Sequence, residues 1–220
     1  RKLVESATKD RSAPSQFQHL QAETSLLQSE IESLRNRAET TLRWVERGGQ
    51  GVILDRALDH LTLGRTWQTD AELRKLEITN AQSQLAHAEH HLTQSVTLLR
   101  QSGMQDELPR GLLHRAALWR DRLALSPSSR QDEGRGEGRE PDRSPSHLSP
   151  DLTPQGERDY FELAERDLSE AESIADRGSM LIWQIEAALE RSWLYLTLHE
   201  IGWGDQAPAE LESKMTTNGL

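Results

Sequence analysis

The stretch His87-Ala88-Glu89-His90-His91 holds the residue types of this sequence that stand nearest to metal chemistry. On a helix, His87 and His91 lie one turn apart, and two imidazoles so placed can share a zinc ion. No third ligand stands at a matching spacing. Glu89 also misses the place that the general base takes in a zinc-protease helix. Ala88 and Leu92 belong to an apolar stripe, which turns the histidines toward its flank or toward solvent. The expectation is a solvated polar face, with His87 and His91 a weak pair of metal candidates.

Two other groupings fail on the same kind of inspection. Gly134 to Glu140, "GRGEGRE", has the glycines of a phosphate loop. It lacks the Gly-Lys-Ser/Thr ending, follows no strand and sets Glu137 where a phosphate would sit. Asp55, Asp59 and His60 can be drawn as an acid–base set, yet any amphipathic helix offers such groups. The chain has no cysteine, which excludes thiolate nucleophiles, thiolate metal sites and disulfides. No serine stands on a strand-to-helix elbow. The sequence predicts no catalytic residue, no cofactor and no enzyme.

The elements that would position any site are helical. Leu27, Ile31, Leu34, Ala38, Leu42 and Val45 recur at helical steps before Gly48-Gly49. A second stripe from about Val52 carries Ile53, Leu54, Ala57, Leu58, Leu61 and Gly64 to Trp67. A third, with its N-cap near Thr79-Asn80, carries Leu85, Ala88, Leu92, Val96 and Leu99 to Gly103. Acid and proline at Asp106 to Pro109 open a fourth, with Leu112, Leu113, Ala116 and Trp119. Phe161, Ala164, Leu168, Ala171 and Ile174 form a fifth, closing at Gly178. Ile182, Ile185, Leu189, Ser192 and Tyr195 form the last. No strand alternation interrupts them, so the fold class is all-α.

Three of these helices repeat one device: Leu61, Gly64 and Trp67; Leu113, Ala116 and Trp119; Leu189, Ser192 and Tyr195. Steps of three align a leucine, a small residue and an aromatic on one ridge. The small residue admits a neighbouring helix and the aromatic fills the space beyond the crossing. Each such helix follows a glycine-terminated one, so the unit is a helix pair, and the expected architecture is an α-solenoid of stacked antiparallel pairs. One segment stands apart. Residues 126–154 hold five of the eight prolines and only Leu148 and Leu152 as apolar side chains, and read as a disordered insertion. The expected plan is a tail or helix extension over 1–22 and helical repeats over 23–125. The insertion over 126–154, further repeats over 155–202 and a tail or short helix over 203–220 complete it.

Gly64 and Trp67, the alanine-bearing second helices and Pro109 opening a unit resemble tetratricopeptide repeats. More narrowly, "AETTLRWVERGGQGVILDRALDHLTLGR", "SVTLLRQSGMQDELPRGLLHRAALWR" and "AERDLSEAESIADRGSMLIWQIEAALERSWLYL" resemble the divergent arrays of large bacterial signalling proteins. In those proteins such arrays often follow a NACHT or NB-ARC type nucleotide-binding module, whose nucleotide-binding residues have no counterpart here. The resemblance covers roughly residues 23–202 apart from the insertion. It implies a scaffold or sensor arm that binds a protein or peptide.

Composition sets limits on partners. The chain of 220 residues is 35% hydrophobic and 28% charged, with a mean hydropathy of -0.74, as in thin helical proteins whose helices each bury one stripe. A net charge of -10 argues against sequence-independent nucleic-acid binding and against anionic membrane surfaces. There is no apolar run of transmembrane length and no signal-peptide core, and with no cysteines the expectation is a cytoplasmic protein. The first residue, Arg1, leads to the expectation of a piece of a longer chain with further domains. Of the six tryptophans, most are expected between helices, while Trp193 and Trp203 are the expected partner anchors. The competing expectation is a helical domain with a metal or small ligand in its cavity and hydrolytic chemistry.

Overall fold

The computed structural model describes residues 13–48, 52–74, 78–126 and 154–201. Six helices account for them: α1 (Ala13–Gly48), α2 (Ile53–Leu73), α3 (Ile78–Ser102), α4 (Leu108–Ala124), α5 (Pro154–Arg177) and α6 (Leu181–Glu200). No strand occurs among the described residues, and the all-α expectation holds. None of these helices is long and apolar enough to cross a membrane.

The breaks between helices follow local chemistry. Pro109 occupies the first turn of α4, where its missing N–H costs no hydrogen bond. Gly103, just past α3, adopts a φ of 73°, the left-handed state that ends helices at low cost for glycine. The end of α5 departs from expectation. Ser179, not Gly178, takes the left-handed conformation, with a φ of 53°. The Met180 amide donates to the Ala175 carbonyl at 2.8 Å and the Ser179 amide to the Asp176 carbonyl at 3.2 Å. This is a Schellman closure with a serine at the position that glycine usually takes. Thr79 and Asn80 lie inside α3 and not at its N-cap, since the helix opens at Ile78.

Packing runs from each helix to the next, most extensively in the pairs α2–α3 and α4–α5, with α4 also touching α6. One apolar cluster joins α2 to α6. The stripes on α3, α4 and α5 are buried as their spacing predicts: Leu85, Leu92, Val96, Leu112, Leu113, Leu168 and Ile174 are all in this core. A smaller cluster of Ala38, Leu42 and Leu63 fastens α1 to α2. Only the C-terminal part of the α1 stripe is used, because Leu27 and Leu34 remain exposed.

Most of the expected insertion lies outside the described residues. At its N-terminal edge Ser126 is buried and its hydroxyl donates to Glu157 Oε1 near the start of α5. The part of the N-terminal plan over 1–12, and all of 203–220 with Trp203, also lie outside the described residues.

Candidate interaction surfaces

The first two ridges sit at helix crossings. Leu61 and Gly64 are buried, and a Cβ added at Gly64 would stand 2.5 Å from Leu92 Cγ of α3. Glycine there is what lets α2 and α3 meet closely. Trp67 is half-buried. The Arg35 guanidinium of α1 lies 3.4 Å from its ring centroid and His87 of α3 stacks on it at 4.6 Å, so one indole ties three helices together. In the second ridge Leu113, Ala116 and Trp119 are all buried. A further close approach comes at Gly111, where an added Cβ would meet Leu99 at 2.7 Å.

The third ridge is a correction. Leu189 is 56% exposed and Ser192 faces solvent, its hydroxyl donating to its own helix at Ala188; only Tyr195 packs against the core. The buried side of α6 is carried by Ala187, Leu194, Thr197 and Leu198 instead. Because α6 is apolar on both sides, the spacing of its leucines does not distinguish inside from outside.

The histidines are arranged differently from their sequence spacing. His87 stacks on Trp67, while His91 meets His60 of α2, with the two Nδ1 atoms 2.9 Å apart. His60 thus belongs to an interhelix pair and not to an acid–base set with Asp55 and Asp59. Burial lowers the His60 pKa, helped by His90 and Arg56 and opposed by Glu46 of α1. Burial, then His60, His90 and His87, lower His91 to about 4. Among the described residues no group of three histidine or carboxylate side chains is placed to hold a metal ion. Asp59, raised by burial and by Asp55, has a buried Oδ2 without a hydrogen-bond partner.

Alternate helices share a polar row. Gln68 of α2 donates to Asp121 of α4 at 2.7 Å. Arg120 bridges Asp121 at 3.1 Å and Glu190 of α6 at 2.7 Å. Burial lifts the Glu190 carboxyl to about 7 against the pull of Arg120, with Asp121 and Glu72 adding to the rise. Beside this row, burial and the cations Arg65 and Arg110 hold His114 at about 3. On the other side of α4, Arg115 forms a two-pronged ion pair with Asp167 of α5 at 2.7 and 2.8 Å. Trp119 Nε1 donates to the same carboxylate at 3.3 Å. Asp167 is 0% exposed, so this pair is structural.

The remaining notable surface is the outer side of α6. Leu181, Ile182, Ile185, Leu189, Trp193 and Leu196 are all exposed there. Of the two anchors expected from sequence, Trp193 is in this group. Trp44 of α1 is exposed as well.

No protein-family model, curated protein or solved structure matches the chain.

The paired charges that organise these surfaces are absent from the sequence expectations, though a signal for them exists. Asp167 lies three residues after Ala164 and four before Ala171, on the apolar stripe itself. His60 stands likewise between Ala57 and Gly64. A charged or titratable residue at a stripe position requires a partner from another helix.

Proposed function

We propose that this chain is a non-catalytic protein-interaction array, built of tetratricopeptide-like helix pairs and serving as a scaffold or sensor arm within a longer bacterial signalling protein in the cytoplasm. The observation that carries the reading is the pattern of contacts: each helix packs on its successor, and side chains of α2, α4 and α6 meet in one row. Arrays of this kind bind partners along a surface assembled from successive units. The polar groups in the row are occupied by one another, as suits a rigid recognition surface. The net charge of -10 favours basic partners through long-range steering.

The test is site-resolved photocrosslinking in the source cell. A photoreactive residue replaces Arg65 of α2 or Glu186 of α6 on the shared side, or Thr97 of α3 or Ser169 of α5 elsewhere. The same protein adduct from both Arg65 and Glu186, and weaker labelling from the other two, is the expected result. Equal labelling at all four positions, or none, removes the reading.

A further inference from the structure

We infer that the outer side of α6 is a docking surface for an amphipathic helix bearing basic side chains along its flanks. The inference rests on the protein-binding role proposed above and names the chemistry of one partner.

The geometry is that of a helix ridge awaiting a groove. Leu181, Ile185, Leu189 and Trp193 follow one another at steps of four, which aligns them on a single ridge. Ile182 and Leu196 widen it. Their exposures run from 66% at Leu181 to 44% at Leu196, with Trp193 at 54%. Together they present on the order of 500 Å² of apolar surface, as large as the biggest patch of an ordinary monomer. A stable dimer interface takes about 800 Å² from each partner. The ridge is therefore sized for one helix laid across it, whose apolar residues at helical spacing meet Ile185, Leu189 and Trp193 in turn.

Charge decides between occupants. The exposed carboxylate of Glu200 lies on α6 beside this ridge, whereas Glu186 lies toward Arg65 of α2 on the shared side. Arg191, the one arginine of the helix, is engaged by Glu165 and Glu172 of α5. A second copy of the chain would bring an identical acidic flank and another net charge of -10 to the contact. A helix with lysine or arginine beside its apolar face meets the ridge without that repulsion.

The experiment uses the full chain and three labelled synthetic peptides, read by fluorescence anisotropy. One is a leucine-faced helix flanked by lysines, the second has glutamates in place of the lysines, and the third keeps the lysines but replaces the leucines by serines. The lysine-flanked helix is expected to bind at least about tenfold more tightly than either control, one factor of ten being about 1.4 kcal/mol. Leu189→Asp and Trp193→Ala are expected to weaken it by a similar factor while leaving the melting temperature unchanged. Binding without charge preference, or undiminished in both variants, overturns the inference. So does a melting temperature lowered by Leu189→Asp, which would mean that the chain covers the ridge itself, or a dimer in light scattering that this variant dissociates. If these fail while Arg65 and Glu186 still crosslink a common protein, only the docking inference is lost and the broader role stands.

Discussion

His60 Nδ1 and His91 Nδ1 face each other at 2.9 Å across the α2–α3 contact. At that separation one neutral ring donates and the other accepts, so the pair cannot take up a further proton on each ring without setting two cations in contact. Unfolded imidazoles take up protons near their ordinary value of 6.5, whereas His91 in the fold waits until about 4. Within that window the unfolded chain binds more protons, and stability therefore rises with pH. His114, held at about 3, acts in the same direction.

His91 and His114 are accordingly expected to lower the melting temperature as the pH drops through 6.5 toward 4, opposed by Glu190, whose carboxyl at about 7 takes up its proton in the fold before the unfolded chain does. One unit of displaced titration is worth about 1.4 kcal/mol, reduced here because His91 is only half-buried and partly screened. His91→Asn is expected to flatten part of the slope. Thermal melts at half-unit pH steps check this, and an unchanged slope in the variant would rule out the pair as its source.

Asp167 offers a sharper test of the interior. Asp167→Ala leaves the Arg115 guanidinium buried without its carboxylate, which typically costs about 3–5 kcal/mol. Replacing both residues, as in Asp167→Leu with Arg115→Met, is expected to recover most of that loss, since a packed apolar pair needs no compensating charge. Urea denaturation of Asp167→Leu, Arg115→Met and the double variant measures the coupling. Independent, additive effects would mean that the ion pair does not hold α4 to α5.

Gly64 is tested by the smallest possible side chain. In Gly64→Ala the new Cβ would stand 2.5 Å from Leu92 Cγ and 3.2 Å from the Leu92 backbone nitrogen. Overpacking of this kind costs about 1–3 kcal/mol, more than alanine's helix preference of about 1 kcal/mol returns. A lowered denaturation midpoint is expected. A raised one would show that α2 and α3 stand farther apart.

Ser179 carries a φ that suits glycine better. Ser179→Gly should therefore stabilise the chain by about 1 kcal/mol, the lower end of what the left-handed conformation costs a residue with a Cβ, provided the Schellman bonds persist. Differential scanning calorimetry at neutral pH reads the gain, and a loss would mean that the serine side chain contributes a contact of its own.

The helices are legible in the sequence because burial imposes its period on leucine and alanine, as at Leu85, Ala88, Leu92, Val96 and Leu99. What joins them is less so. His60 and His91 are separated by 31 residues and Arg115 and Asp167 by 52, and periodicity along one helix carries no information about its partner. The misplacement of Ser192 has another cause. On a helix with leucine on both its outer and its inner side, as Leu189 and Leu194 are, the three-residue step from Leu189 to Tyr195 is found on the outer side as readily as on the inner. Gly64 is legible because glycine in a helix interior is costly and needs a reason; Gly111, equally close to its neighbour, carries the same signal without the ridge spacing that draws notice to Gly64.

The hydrogen bond between Ser126 and Glu157 brings two points 31 residues apart in the chain into contact at the seam of α4 and α5. The span they bracket begins and ends at one address, so its length is a weak constraint on the rest of the molecule. That address is a natural graft point. A reporter domain whose own ends lie close together can be spliced there and carried by the helices without altering how they pack.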